Sequence, residues 1–151
     1  MIANCMKRNV VAVSEAATLG EAGRLFATRH IGLLPVVDAN GRVTGVLGLG
    51  DLLGLALPAF LNLLDNTDFV LSFGQVETTS PDPAILAGSV TTRMRPATIV
   101  SEDCGLLRAY SLMLEHNLHD LPVVDSDGRL VGIASRVDIG VAIIRNWEGT
   151  A

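Results

Sequence analysis

Residues 34–53 read LPVVDANGRVTGVLGLGDLL, and residues 121–140 read LPVVDSDGRLVGIASRVDIG. The two stretches align without a gap at an offset of 87 residues, the distance from Pro35 to Pro122. The same offset continues upstream, where the matched pairs are Val13 and Val100, Leu19 and Leu106, and Ala22 and Ala109. Self-similarity at one fixed spacing indicates a duplicated structural unit, so the chain is predicted to hold two copies of a unit of about 60 residues.

Helix signals recur at matching places in the two copies. Thr18 and Glu21 have the spacing of a capping box, which predicts the start of a helix. In the second copy, Asp103 is the predicted N-cap of the equivalent helix. A second helix is predicted to begin near Asp51, with its counterpart over residues 135–147.

Short β-rich runs separate these helices. In the first copy they cover residues 10–13, 34–38 and 43–49, and the last two flank a turn that ends at Gly41, as its equivalent ends at Gly128. The order is β-α-β-β-α, twice, which predicts the α/β (α+β) class. Because one such unit is too small to bury its own apolar faces well, the copies are expected to pack sheet against sheet as a pseudo-two-fold pair.

The predicted domain organisation follows from this duplication. Residues 1–73 form the first repeat with an extended second helix, residues 74–88 a linker that contains proline and many polar residues, and residues 89–151 the second repeat. Residues 52–73 are more apolar than one small unit requires. This excess predicts either a homodimer surface or additional packing within the chain.

Composition excludes several classes of protein. The net charge of −5 offers no broad basic face for a nucleic acid. The apolar run at residues 43–64 is interrupted by Asp51 and Pro58, which disfavours a membrane span. Cys5 and Cys104 have no partners at zinc-binding spacing, and no P-loop or catalytic triad motif is present. With no signal-peptide pattern, we expect a cytoplasmic protein without metal or catalytic cofactor that is not an enzyme.

The hairpin pattern LPVVD-x-x-G-R-h-x-G-h (h, hydrophobic), present at residues 34–46 and 121–133, resembles that of the cystathionine-β-synthase (CBS) domain. The resemblance covers nearly the whole chain and both repeats. It implies a disc-like pair, or Bateman module, that forms a homodimer and binds AMP, ADP, ATP or S-adenosylmethionine between its repeats. Such modules regulate an enzyme, channel or transporter. Because the two repeats use up the chain, we expect a stand-alone sensor acting on an unidentified partner protein.

The resemblance also implies a main binding site in the second repeat. The family motif G-h-x-S/T-x-x-D is intact from Gly132 to Asp138, where Asp138 would accept hydrogen bonds from the ribose and Ser135 would contact ribose or phosphate. Arg93, Arg95 or Arg136 would bind phosphate. The full implied set is Thr98, Ile99, Val100, Leu118, His119, Asp120, Pro122, Ser135, Arg136 and Asp138.

A weaker site is implied in the first repeat, where Gly48 stands at the hydroxyl position of the motif. Its implied residues are Val11, Gly32, Leu33, Pro35 and Asp51. Two alternatives stay open. Ser135 and Asp138 also have capping-box spacing, which stabilises a helix without any ligand. In the second alternative, the whole module is a structural dimerisation or interaction module with degenerate, ligand-free clefts.

Overall fold

The computed structural model describes residues 1–56 and 80–149. Residues 57–79 lie outside this part, and with them most of the predicted apolar extension and the first six residues of the predicted linker. The first half contains β1 (Val13–Ser14), α1 (Leu19–Arg29), β2 (Leu33–Val37), β3 (Val43–Gly48) and α2 (Leu49–Ala56). A short α3 (Pro83–Leu86) precedes β4 (Val100–Ser101), α4 (Leu106–Glu115), β5 (Asp120–Val124), β6 (Leu130–Ser135) and α5 (Arg136–Glu148). The predicted β-α-β-β-α order is confirmed in both halves.

Each half has a three-stranded sheet with the same topology and register. The first strand runs parallel to the second, which is antiparallel to the third. Pro35 pairs with Val46 in the first sheet, and Pro122 pairs with Ile133 in the second. The hairpin turns place their fourth residue at a φ of 80°, which explains why glycine stands at both positions.

The helix ends match the sequence signals in all but one case. The amide of Glu21 donates to the Thr18 hydroxyl at 3.1 Å, and the amide of Thr18 donates to the Glu21 carboxylate at 3.0 Å, which completes the capping box. The prediction of Asp103 as the N-cap of α4 is wrong. Gly105 occupies that position, and the Asp103 carboxylate instead accepts a hydrogen bond from the Ser101 hydroxyl.

The N-terminal segment packs in the second half of the molecule. Ile2 and Met6 are buried in the apolar core formed by α4, α5 and the second sheet. Lys7 exchanges two main-chain hydrogen bonds with Ile133, at 2.8 and 2.9 Å. Because β6 is an edge strand of its sheet, this bridge covers its free edge with chain from the other half.

The segment before β4 makes the reciprocal contact with the first half. Val90 is fully buried in the core of the first half, and Met94 packs against that core. Arg95 exchanges two main-chain hydrogen bonds with Val46 of β3, at 2.8 and 2.9 Å. The two halves are therefore joined by an exchange of the segments that lead into their first strands.

The hairpin turns provide a second contact between the halves. The amide of Leu130 donates to the Gly41 carbonyl at 3.0 Å, and the amide of Val43 donates to the Gly128 carbonyl at 3.3 Å. The guanidinium of Arg42 also donates to a carbonyl of the opposite turn.

Within the described ranges, no helix combines the length and apolarity that a bilayer span requires.

Candidate functional site

A solvent-open cleft of about 230 Å³ lies between the two halves. One wall comes from the first half and the other from the second, with the segment before β4 between them. The lining residues are Gly32, Leu33, Val46, Gly48, Leu49, Gly50, Arg95, Pro96, Thr98, Asn117, Leu118, His119, Asp120 and Pro122. The volume is below the range of about 300–1,000 Å³ common for drug-sized ligands, so the cleft suits a small ligand that is partly exposed.

The start of α2 forms one wall of this cleft. Strand β3 ends at Gly48 and the helix begins at the next residue, so the backbone of residues 48–50 faces the cleft without long side chains, except that of Leu49. The carboxylate of Asp51 turns back and accepts a hydrogen bond from the Gly48 amide at 2.7 Å. The Leu49 amide donates to the Gly32 carbonyl at 3.0 Å, so what this wall offers an anionic group is the positive end of the helix dipole.

Arg95 adds a cation to the same wall. Its Nε donates to the Oδ2 atom of Asp51 at 3.1 Å, and the side chains of Arg95 and Asp51 are 63% and 22% exposed. A Cβ at Gly48 would lie 3.2 Å from the Nη2 atom of Arg95. Because residue 48 has no side chain, the guanidinium of Arg95 lies close to the main chain at this position.

The opposite wall is the loop between α4 and β5 together with the residues just before β4. Asn117 adopts a left-handed φ of 53°, and the turn it makes brings His119 and Asp120 to the cleft. Burial raises the pKa of the Asp120 carboxyl above its ordinary range. His119 and Lys7 oppose this rise, and the Asp138 carboxylate adds to it.

The motif of the second half forms a capping box at the start of α5. The Ser135 hydroxyl accepts from the Asp138 amide, and the Asp138 carboxylate accepts from the Ser135 amide, both at 3.0 Å. The Arg136 guanidinium donates to the carbonyls of Leu118 and, at 3.1 Å, Met113, so it lies against the C-terminal end of α4. None of the three motif residues lines the cleft that contains Arg95.

The structure therefore regroups the residues that the sequence assigned to one site. Thr98, Leu118, His119, Asp120 and Pro122 line the cleft beside the motif of the first half. The loop residues Leu118, His119 and Asp120 also contact the motif of their own half, through Arg136 and the pairing of Asp120 with Ser135. The reason is the pseudo-two-fold arrangement, which sets the loop edge of one half against the helix start of the other.

The remaining predicted residues are distributed between the cleft and the cores. Gly32 and Leu33 line the cleft, and Asp51 lies directly behind it. The side chains of Val11, Pro35 and Val100 contribute to packing within the halves, whereas that of Ile99 is exposed.

Sequence reasoning missed part of the cleft lining, namely Val46, Leu49, Gly50, Pro96 and Asn117. Pro96 and Asn117 carried a usable signal, because each lies within two positions of a predicted site residue along the chain. The same holds for Leu49 and Gly50, which lie within two positions of Asp51. Val46 carried no such signal, since its position opposite the second half depends on the packing of the halves.

The model of the CBS domain family matches residues 2–57 and residues 87–144. An uncharacterized protein of Methanocaldococcus jannaschii is 28% identical over 159 aligned residues, which cover 95% of this chain and 91% of that protein. The chloroplastic CBS domain-containing protein CBSX1 of Arabidopsis thaliana is 30% identical over 138 residues. These cover 88% of this chain but only 58% of that relative.

The fold is also similar to that of solved structures. The crystal structure of CBSX2 in complex with AMP superimposes with a TM-score of 0.71 at 26% identity, and the match covers 95% of this chain and 96% of that one. CBSX2 is likewise a chloroplastic protein of Arabidopsis thaliana. Because the family model matches both β-α-β-β-α halves, which together make up most of the chain, this chain belongs to the CBS domain family and contains a pair of CBS repeats.

Proposed function

We propose that this CBS pair is a non-catalytic regulatory module that binds an adenine nucleotide in the cleft between its halves. The observation that carries the proposal is the composition of the cleft. A helix start, a guanidinium and a carboxylate lie on one side, and the loop before β5 lies on the other. A nucleotide offers the matching groups, which are a phosphate, a ribose diol and a base with a hydrogen-bonding edge.

The polar wall fits the ribose and the phosphate. Asp51 accepts two hydrogen bonds at Oδ2, and a carboxylate has about four acceptor sites, which leaves Oδ1 for a ribose hydroxyl. The phosphate would lie near the guanidinium of Arg95 and the positive end of the α2 dipole. In this arrangement the first repeat supplies the charged contacts, although its motif lacks the hydroxyl.

The loop wall fits the adenine base. The segment around Thr98 and the loop from Leu118 to Asp120 border the cleft. Because the Leu118 amide and the carbonyls of Leu118 and His119 already have partners in the second half, the main chain around Thr98 would pair with the edge of the base. Pro122 and Leu33 supply apolar surface for its faces. AMP bound to CBSX2, a relative that this chain matches over 95% of its length, supports the same class of ligand here.

The regulatory role would follow from the position of the cleft. A ligand that contacts both halves stabilises the arrangement in which both walls fit it, and it shifts the equilibrium by its difference in affinity for the two arrangements. A partner protein that contacts both halves would respond to that shift. Formation of a homodimer and a cytoplasmic location stay predictions, and sedimentation analysis of the purified chain tests the first of them.

The Asp51–Arg95 ion pair also favours a second candidate, a structural interaction module with an unused cleft. Both groups already have a charged partner, so the cleft does not require a ligand to satisfy them. In that case the protein acts through its surfaces alone and binds none of the adenine nucleotides.

Isothermal titration calorimetry with AMP, ADP, ATP and S-adenosylmethionine distinguishes these candidates. Asp51→Asn keeps an oxygen for the Gly48 amide but removes the charge, and it is expected to weaken binding about ten- to a hundredfold, the equivalent of a charged hydrogen bond. The matched control is Asp138→Asn, the same change at the equivalent position outside the cleft. We expect it to leave the affinity unchanged.

Three results would change the proposal. No binding of any of the four compounds to folded wild-type protein would support the interaction module. Loss of binding in Asp138→Asn with retention in Asp51→Asn would move the site to the second-half motif. Equal affinity in all three proteins would exclude a role for either carboxylate.

A further inference from the structure

The two halves differ at one position of their shared motif. In the second half, the hydroxyl of Ser135 caps α5 by accepting from the Asp138 amide. In the first half, Gly48 has no hydroxyl, although Asp51 keeps the equivalent bond from its carboxylate to the Gly48 amide. The first half therefore retains the carboxylate of the motif and lacks its hydroxyl.

The guanidinium of Arg95 lies beside the place that a side chain of residue 48 would occupy. Its Nη2 is 3.2 Å from the place a Cβ of residue 48 would occupy, and its Nε holds Asp51 at 3.1 Å. The main chain of Arg95 is fixed by its two bonds to Val46, and its side chain is largely exposed. The equivalent bridge in the second half is made by Lys7, whose ammonium is a point charge without a planar fork.

Most of the hydrogen-bond donors of Arg95 do not bind Asp51. A guanidinium carries five N–H donors, and only Nε donates to the carboxylate. The bond to Asp51 fixes the plane of the group beside the start of α2, and the side chain lines the cleft. An oriented guanidinium at the positive end of a helix dipole suits a planar pair of phosphate oxygens.

We propose that Arg95, oriented by Asp51, makes this cleft selective for nucleoside 5′-phosphates over the uncharged nucleoside and over cationic adenosyl compounds. This inference rests on the proposed function, since it names the ligand class of the same cleft. The guanidinium replaces the hydroxyl contact of the second-half motif with a charged one. It attracts phosphate and repels a sulfonium group such as that of S-adenosylmethionine.

The test compares AMP with adenosine, which differ only in the phosphate. Binding is followed by two-dimensional amide NMR titration, which also detects millimolar affinities. In the wild-type protein we expect AMP to bind at least tenfold more tightly than adenosine. In Arg95→Ala, the affinity for AMP is expected to fall about ten- to a hundredfold, the equivalent of a charged hydrogen bond, whereas the affinity for adenosine stays unchanged.

Two further variants separate the charge from its geometry. Gly48→Ser supplies the hydroxyl found in the second half and pushes the guanidinium away, so the preference for AMP over adenosine is expected to fall. Arg108→Ala removes an equal charge from an exposed position on α4 outside the cleft and is expected to keep the wild-type preference. Thermal unfolding of each variant checks that the fold is kept.

Each remaining outcome overturns the inference. If Arg95→Ala lowers the affinities for AMP and for adenosine equally, the role of Arg95 is structural. If Arg95→Ala binds AMP more tightly than the wild type does, the Arg95 side chain obstructs the cleft. If the wild type binds AMP and Arg95→Ala binds it equally well, the inference fails while the proposed function stands. If the wild type binds neither compound nor the other nucleotides, both fail together.

Discussion

Met94 lies directly against the Cα atom of Gly45, and a Cβ at that glycine would be 2.7 Å from the methionine sulfur. Met6 lies against Gly132 in the same way, with an equivalent distance of 2.5 Å. Both separations are well below the contact distance of about 3.5–4.0 Å between carbon atoms. The segment exchanged between the halves reaches each third strand only because that strand has no side chain at this point.

Substitution of either glycine by alanine is expected to destabilise the protein. In Gly45→Ala the new methyl group would also lie 3.0 Å from the Arg95 carbonyl, which the bridge to Val46 holds in place. We expect the free energy of unfolding to fall by about 1–3 kcal/mol, as for other overpacked sites. Gly132→Ala is expected to behave in the same way, and urea denaturation measures both changes.

Gly23→Ala is the matched control for these two substitutions. Gly23 lies inside α1 and has no heavy atom within 4 Å of the place where its Cβ would be. Alanine is the better helix former, so this change is expected to raise the free energy of unfolding by about 0.5–1 kcal/mol. Stabilisation of Gly45→Ala to the same degree would contradict the close contact with Met94.

Ile2 is expected to contribute to the stability of the second half, although it is the second residue of the chain. Its side chain is fully buried in the core that contains α4 and α5. Ile2→Ala should lower the free energy of unfolding by about 2–5 kcal/mol and speed amide hydrogen exchange in those two helices. Asn4→Ala, an exposed change in the same turn, should stay within about 0.5 kcal/mol of wild type. Similar values for both variants would mean that the exchanged segment is not packed.

The capping box at Ser135 predicts a change in stability without a change in nucleotide binding. Ser135→Ala removes the acceptor for the Asp138 amide, which should lower the free energy of unfolding by about 1 kcal/mol. Because Ser135 does not line the cleft, the affinity for AMP should stay the same. As a control, Ser111→Ala replaces an exposed serine inside α4 and is expected to be neutral or slightly stabilising. A large loss of AMP affinity in Ser135→Ala would place the ligand at the second-half motif.

The raised pKa of Asp120 predicts a specific pH dependence of stability. Its folded pKa lies above the unfolded value of about 3.9, so the folded state binds the proton more tightly. The contribution of Asp120 to stability is therefore fully present below about pH 3.9 and is lost as the pH rises through the folded pKa.

Asp120→Asn and Asp120→Leu remove this titration, and the second introduces the residue that Leu33 provides in the first half. Relative to wild type, both variants should gain free energy of unfolding as the pH rises from about 4 towards neutrality. Urea denaturation over this range measures the difference. A wild-type-minus-variant difference that does not change with pH would show that Asp120 titrates alike in the folded and unfolded chains.

Local sequence signals predicted the fold well because they act over a few residues. The Thr18 capping box and the two D-x-x-G turns need only contacts at three or four positions along the chain, and all of them formed as expected. The error at Asp103 has the same local origin. Three residues suited to an N-cap, Ser101, Asp103 and Gly105, stand within five positions there. The Asp103 carboxylate accepts a hydrogen bond from the Ser101 hydroxyl and does not cap α4.

The site was predicted less completely, because its two walls come from different halves. The sequence correctly named Thr98 and His119 as neighbours of one cleft, since both lie at the loop edge of the second repeat. It could not show that this edge, which pairs with Ser135 in its own half, also shares a cleft with Gly48. That arrangement depends on how the two halves pack against each other, which no periodicity in either repeat encodes.

By itself, the sequence determined that the protein is a duplicated β-α-β-β-α unit of the CBS type, because the offset of 87 residues and the repeated turns are visible in the letters alone. Only the tertiary structure decided which half supplies each wall of the cleft and where the exchanged segments pack. Asp51 and Arg95 are 44 residues apart along the chain, and they meet because the main chain of Arg95 closes the free edge of β3. Contacts of this kind depend on how the two halves pack against each other, so no local pattern in either repeat predicts them.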